Sequence, residues 1–373
     1  MPACPCCASR ATRRIVKTPP LPVNACVLVH SAAQSQASLR RSIDLFGCDA
    51  CQFMWNADFD ANAVTYDQTY EGTQSNSAHF QTYLHETAAA WVHELGRDLE
   101  SILEVGCGQG EFLHALAPLS AARLVGYDPA YRGGGASRAT IVPQILPATA
   151  QEEFGAVVNR MTLEHIDDPF AFLSTMAGWV ADDGCLITHV PNAARMIEGT
   201  LYCDLIYEHV NYFNAFALTA LLERVGFADN HCVFNYSDQH LTVFSRRSAQ
   251  AANRALPKPK TADFSGVAAR FAKSWEERLT SFRADGDAVF VWGAGSRATT
   301  FLNTLPDPNI VEGVIDINPR RAGTFVQGTA CKTYLPEKLR NRDQLKIIVM
   351  NPIYKDEIAA QLSEVHANAT LVF

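Results

Sequence analysis

Two segments constrain this chain more than any others: SILEVGCGQGEF (101–112) and AVFVWGAGSRAT (288–299). Each is a short apolar run, then a turn with alternating glycines, then a helical pattern. Glycine allows the positive φ and close backbone approach that a tight strand-to-helix turn needs. Each unit leads into another apolar strand that ends in an acid. Asp128 lies 18 residues after Gly110, and Asp316 lies 21 residues after Gly295. Around the first turn, strand and helix patterns alternate: EFLHALAPL, RLVGYD, FGAVVNR, PFAFLSTMAGWV, GCLITHV and LTALLERVGF. This alternation requires a parallel sheet with crossover helices. A helix at about 79–95, with Phe80, Leu84, Ala88, Trp91 and Leu95 on one face, precedes it. HLTVFSRR reads as a late strand. An amphipathic helix, FSGVAARFAKSWEERLTSF, leads into the second unit.

The expected fold class is therefore α/β: a central Rossmann-like domain, a small N-terminal metal module and a C-terminal Rossmann-like domain. The boundaries are 1–60 for the module, 61–248 for the central domain with an N-terminal lid, 249–262 for a Pro-containing linker, and 263–373 for the C-terminal domain. Residues 52–82 read as a polar, aromatic-rich connector. The 373 residues, 48% of them hydrophobic, suffice for such cores and rule out a disordered chain. The net charge of −8 argues against general nucleic-acid binding, which needs cations to displace counterions. No apolar run is long enough to span a membrane. MPACPCCASR lacks the apolar core of a secretory signal, so a cytoplasmic location is expected.

Six of the 11 cysteines fall within the first 51 residues. Cys4 and Cys7, with Cys48 and Cys51, make two C-x-x-C knuckles able to give four thiolates to one structural Zn²⁺. So short a segment buries too little apolar surface to fold alone. Cys6 and Cys26 are surplus, although Cys6 competes with Cys7 as a ligand. The first 51 residues carry six Lys/Arg against two Asp, so an RNA-binding zinc ribbon is the alternative.

The motif E-V-G-C-G-Q-G with the strand-tip acid resembles motif I and the acidic loop of class I S-adenosylmethionine (AdoMet) methyltransferases. The resemblance implies that Gly106, Gly108 and Gly110 shape the cofactor pocket. It also implies that Asp128 holds the ribose and Glu104 helps hold the methionine end. The alternative is a Rossmann-like scaffold without cofactor. LEHIDDP extends the resemblance. Arg160 to His165 should border the cleft, because α/β sheets place ligands at strand ends. His165 is a candidate acid, base or wall residue; otherwise Glu164 and His165 simply cap the next helix. His189–Asn192, with Asn192 a substrate candidate, also points at the cleft.

LYCDLIYEHVNYF brings together Tyr207, Glu208, His209 and Tyr212. A Glu beside a His suits proton transfer, and a phenol can stabilise a developing enolate. The alternative is a solvated helix start with aromatics in the core. With this segment in place, almost the whole chain resembles the nucleotide-sugar C-methyltransferases. These have a zinc module, an AdoMet domain and a C-terminal Rossmann-like domain in this order. The family's Glu-His pair falls on Glu208 and His209. Its catalytic Tyr two places before the Glu falls on Ile206, which leaves Tyr207 or Tyr212 to replace it, or implies a different substrate. YDQTYEGTQSNSAHFQTYL resembles the family's lid, with Tyr66, Tyr70, Gln74 and Ser77 as its candidates. Of the lid's two tyrosines only Tyr70 is retained.

In the second turn, Gly293, Gly295, Ser296 and Arg297 form an anion site at a helix start. Asp316 there would suit a dinucleotide. The resemblance implies instead that this domain helps hold a nucleotide-linked substrate, with Tyr354 on the same crevice. A purely structural duplicate is the alternative. The expected activity is C-methylation of a small nucleotide-linked sugar next to a keto group. His209, or else Glu208, is the base. O- or N-methylation of a small intermediate, and a non-catalytic AdoMet- or nucleotide-binding module, are the alternatives.

Overall fold

A computed structural model describes residues 1–96, 99–133, 138–248 and 262–373. All but Ala262 of the expected linker lies outside them.

The central sheet has seven strands. Ser101–Val105 lies between Arg123–Tyr127 and Phe154–Arg160, all parallel. Thr140–Val142 extends one edge in parallel. Val180–Pro191 follows Phe154–Arg160 on the other side, and two antiparallel strands, His240–Arg246 and Asp229–Asn235, close that edge. The parallel strands read as near-continuous apolar runs because helices cover both faces. The expected helix forms over Ala78–Leu95, capped by the Ser77 hydroxyl on the Phe80 N–H. It buries Leu84, Ala88 and Trp91 against Phe112 and Phe244. Pro169–Ala177 and Ala215–Val225 cover the opposite face.

The second unit is a five-stranded, wholly parallel sheet with Ala288–Trp292 at its centre. Val267–Ala284 packs Trp275 edge-on against Phe301 of the helix Ser296–Thr304.

The N-terminal segment differs from the expected separate module and connector. Its four-stranded antiparallel sheet orders Thr12–Lys17, Asp44–Cys48, Met54–Asn56 and Asn211–Tyr212. The third strand comes from the supposed connector. The fourth comes from the segment that carries Glu208 and His209. Met54 packs into a core with Tyr207 and Tyr212, and Trp55 into another with Phe53 and Phe213. The signal missed was the short run FMWN, too brief for periodicity to reveal.

Candidate active site

The first glycine turn is built as its spacing implies. Gly106, Gly108 and Gly110 all have positive φ, at 73°, 59° and 82°. At Gly106 a Cβ would sit 2.2 Å from the Thr162 hydroxyl, and at Gly110 2.3 Å from Ile141, so packing as well as torsion requires glycine. Gly108 is more open: the nearest atom to a Cβ there is a Glu111 carboxylate oxygen at 3.5 Å. Asp128 accepts the Gly108 N–H at 2.8 Å on one oxygen and the Ala130 N–H at 2.7 Å on the other. Burial raises its pKa, and the two N–H groups oppose that rise. Each oxygen keeps a lone pair for a ribose hydroxyl.

Glu104 is buried at the end of its strand. Burial pushes it up to about 7, against the pull of Arg160. The Arg160 guanidinium is 3.7 Å from one Glu104 oxygen and lies over the Phe112 ring. The other Glu104 oxygen has no hydrogen-bond partner among the described residues. An orphaned carboxylate near a carboxylate fixed by two backbone N–H groups fits the amino-acid end and the ribose of AdoMet.

A cleft of about 370 Å³ opens between the two Rossmann-like sheets. His209, Ile206, Tyr212 and Asn192 line it from the central unit. Gly293, Gly295, Ser296, Arg297, Asp316 and Tyr354 line it from the C-terminal unit. From the lid come Gln74, which accepts the Tyr354 O–H at 2.8 Å, and Ser77, whose hydroxyl donates to Glu357 at 2.6 Å. Glu71 fastens the lid further, pairing with Arg320 at 2.5 Å and Arg132 at 3.5 Å.

His209 and His165 meet edge to face, 4.8 Å between centroids. His165 Nδ1 lies 3.0 Å from the Glu208 carbonyl and 2.8 Å from the Tyr66 hydroxyl. A carbonyl only accepts, so Nδ1 carries the proton and Nε2 keeps its lone pair. Burial lowers the His209 pKa well below 6.5, helped by His165 and Arg297. Burial takes His165 down to about 4. Both imidazoles are therefore unprotonated at neutral pH. The next helix is capped by Asp168, not by Glu164 or His165. Glu164, His165 and His209 place possible ligand atoms within 4.8 Å of one another.

Several candidates stand elsewhere. Glu208 is not on the cleft wall; it is buried beside the backbone of Ala25 and Cys26, and one of its carboxylate oxygens has no hydrogen-bond partner among the described residues. Tyr207 faces the core, its hydroxyl accepting the Asp60 N–H and its ring against Phe59. Tyr212 reaches the cleft, but its hydroxyl bonds both N–H and carbonyl of Ile206. Tyr70 packs edge-on against Tyr66. His189 points into the sheet, bonded to Thr242 at 2.8 Å. Arg297, expected as an anion ligand, is paired with Asp204. The sequence reading passed over Arg195. It lines the cleft without a hydrogen bond or ion pair among the described residues. A single Arg in a short helix gives no pattern to notice.

The thiols of Cys4, Cys7, Cys48 and Cys51 converge, all within 4.8 Å of one another. Cys4 and Cys51 are 3.7 Å apart, and Cys7 and Cys48 are 3.6 Å apart. A tetrahedron of Zn–S bonds of about 2.3 Å has edges of about 3.8 Å, so these thiols fit zinc. Cys6 is not one of the four and donates to the Ala217 carbonyl at 3.0 Å.

A family model described as a methyltransferase domain matches residues 80–232. A second, described as a C-methyltransferase C-terminal domain, matches residues 244–373. No curated protein matches the chain. The likeness to solved structures is slight. Magnesium protoporphyrin IX methyltransferase from Synechocystis PCC 6803 is 18% identical, with 46% of this chain and 84% of that one covered and a TM-score of 0.35. A possible histamine N-methyltransferase from Thermotoga maritima is 17% identical, with 45% and 91% covered and a TM-score of 0.36.

Proposed function

We propose that the chain is an AdoMet-dependent methyltransferase that methylates a carbon next to the keto group of a small, nucleotide-linked sugar; the matches to a methyltransferase domain and to a C-methyltransferase C-terminal domain support this reading. The observation that carries this reading is the shared cleft: His209 lines one wall and the second glycine turn with Asp316 lines the other.

AdoMet, when bound, supplies an electrophilic methyl on a positively charged sulfur. The loop at 106–110, Asp128 and Glu104 would hold it, with Arg160 fixing Glu104. On the substrate, His209 takes the proton from the carbon next to the keto group. Its ring is already unprotonated at neutral pH, and the negative charge that develops on the substrate oxygen favours the imidazolium. His165, oriented through Nδ1 by the Glu208 carbonyl, holds the His209 ring edge to face. The lid and the C-terminal unit fix the sugar, and positioning supplies much of the rate. Glu208 acts as an anchor for its segment. Zinc on Cys4, Cys7, Cys48 and Cys51 would be structural, because four thiolates leave no open position.

A second reading, O- or N-methylation with the same base, is favoured by Ile206 on the cleft wall and by the engaged hydroxyl of Tyr212. Incubation of nucleotide-linked keto sugars in deuterium oxide without AdoMet separates the two. The first reading predicts deuterium at the carbon next to the keto group, abolished in His209→Ala. Methyl transfer without any such exchange would select the second.

A further inference from the structure

Glu164, His165 and His209 come from distant parts of the chain and are tied together. The 3₁₀ turn Leu163–His165 follows the strand Phe154–Arg160, and the short strand Asn211–Tyr212 follows His209. The Asn211 side-chain N–H₂ joins the two, donating to the Leu163 carbonyl at 3.0 Å and to the Ile166 carbonyl at 2.5 Å. One possible ligand atom from each of Glu164, His165 and His209 then falls within 4.8 Å of the other two. Among the described residues only the four cysteines gather in the same way.

Three features fit this group to a metal rather than to packing alone. Glu164 is 2% exposed, and its Oε2 has no hydrogen-bond partner among the described residues. A buried carboxylate oxygen is costly to leave without a partner. His165 gives Nδ1 to the Glu208 carbonyl, which leaves Nε2 as its free lone pair. A ring fixed through one nitrogen by a backbone carbonyl is the usual posture of a metal-binding histidine. His209 lines the cleft, and its ring makes no hydrogen bond among the described residues. The group therefore opens on the cleft, where water or substrate would complete a coordination shell. Bonds of about 2.0–2.2 Å to a four-coordinate ion need about 3.4 Å between ligand atoms, a separation inside that 4.8 Å limit.

We infer that Glu164, His165 and His209 form a second metal site, for a divalent transition ion such as Zn²⁺ or Co²⁺, and that its occupancy switches off the cleft. Two imidazoles and one carboxylate with open positions select such an ion over Mg²⁺, which prefers oxygen. The ion takes the His209 lone pair that proton removal needs, so the loaded chain has no base. The site itself stands on geometry; only the switching-off rests on the reading of His209 as the base.

The test is titration of the full chain, carrying one equivalent of Zn²⁺, with Co²⁺ in the absence of sugar and AdoMet, followed by absorbance. The expected result is one further Co²⁺ per chain, whose spectrum lacks the thiolate-to-metal band that cobalt in place of the cysteine-bound zinc would show. Glu164→Gln, which keeps the shape, and His209→Ala, on the cleft wall, should each weaken that Co²⁺ about tenfold or more, since loss of even an outer-shell partner costs about that much. Equimolar Mg²⁺ should not displace it. No further Co²⁺, a thiolate band, undiminished binding in either variant, or displacement by Mg²⁺ overturns the site. Methyl transfer by the native chain should fall in step with Co²⁺ occupancy, and full turnover at saturating Co²⁺ overturns the switching-off. The titration needs no substrate, so its failure leaves the C-methylation reading to its own exchange assay.

Discussion

Glu71 offers a quantitative test of how the lid is held. It is 1% exposed, between Arg320 of the C-terminal unit at 2.5 Å and Arg132 of the central unit at 3.5 Å. Arg321 also donates to its backbone carbonyl, and Arg132 to that of Tyr70 at 3.2 Å. Glu71→Gln keeps the shape and removes the charge. Breaking a fully buried pair costs about 3–5 kcal/mol. Arg320 is half exposed and recovers hydration, which lowers the expected loss to about 2–3 kcal/mol. The assay is urea denaturation of Glu71→Gln, Arg320→Ala and the double variant, followed by fluorescence and far-ultraviolet dichroism together. With several domains, only coincident transitions license a free energy. The cycle should return a Glu71–Arg320 coupling of about 1–3 kcal/mol. A single-variant loss below about 0.5 kcal/mol with no coupling would refute the argument that this pair closes the lid.

Other expectations follow from the same geometry. Burial raises Glu104 and Glu208 to about 7 and Glu164 to about 8, so the folded chain holds protons that the unfolded chain releases near 4.5. Stability must then fall as pH rises through that window. At 1.36 kcal/mol per pKa unit, Glu104 contributes at most about 3 kcal/mol to this fall, and Glu104→Gln should shrink it. Calorimetric melting at pH 6 and pH 8 checks it; a higher melting temperature at pH 8 is the contrary result. Arg195→Ala removes an unengaged guanidinium from the cleft. KM for an anionic substrate should rise about tenfold or more with kcat little changed, as steady-state kinetics would show. Cys48→Ser should release zinc and loosen the strand pairing that ends beside His209. Methyl transfer should drop about 10- to 100-fold while AdoMet affinity, read by calorimetry, stays within a few-fold.

The parts of the fold legible in the sequence were those with period and punctuation. The helix over 78–95, the parallel strands and both strand–glycine–helix turns follow from apolar spacing and glycine placement. The four converging thiols follow from two C-x-x-C spacings. What the sequence hid depends on direction. Tyr207, Glu208 and His209 are consecutive, yet their side chains go to the core, to the Ala25–Cys26 backbone and to the cleft. No residue-type argument separates three neighbours in a loop. Arg297 looked like a free cation because Asp204, its partner, lies 93 residues earlier. The fourth strand at 211–212 has only two residues. Pairing that brief leaves no alternation to read, although it ties the cysteine-bearing sheet to the segment bearing His209.

The function proposed for the cleft turns on the methyl going to carbon. The direct measurement is nuclear magnetic resonance of the product made with AdoMet carrying a ¹³C-labelled methyl. The expected product shows an aliphatic methyl coupled to the carbon beside the keto group. A methoxy or N-methyl signal, with the ring carbons unchanged, would contradict it.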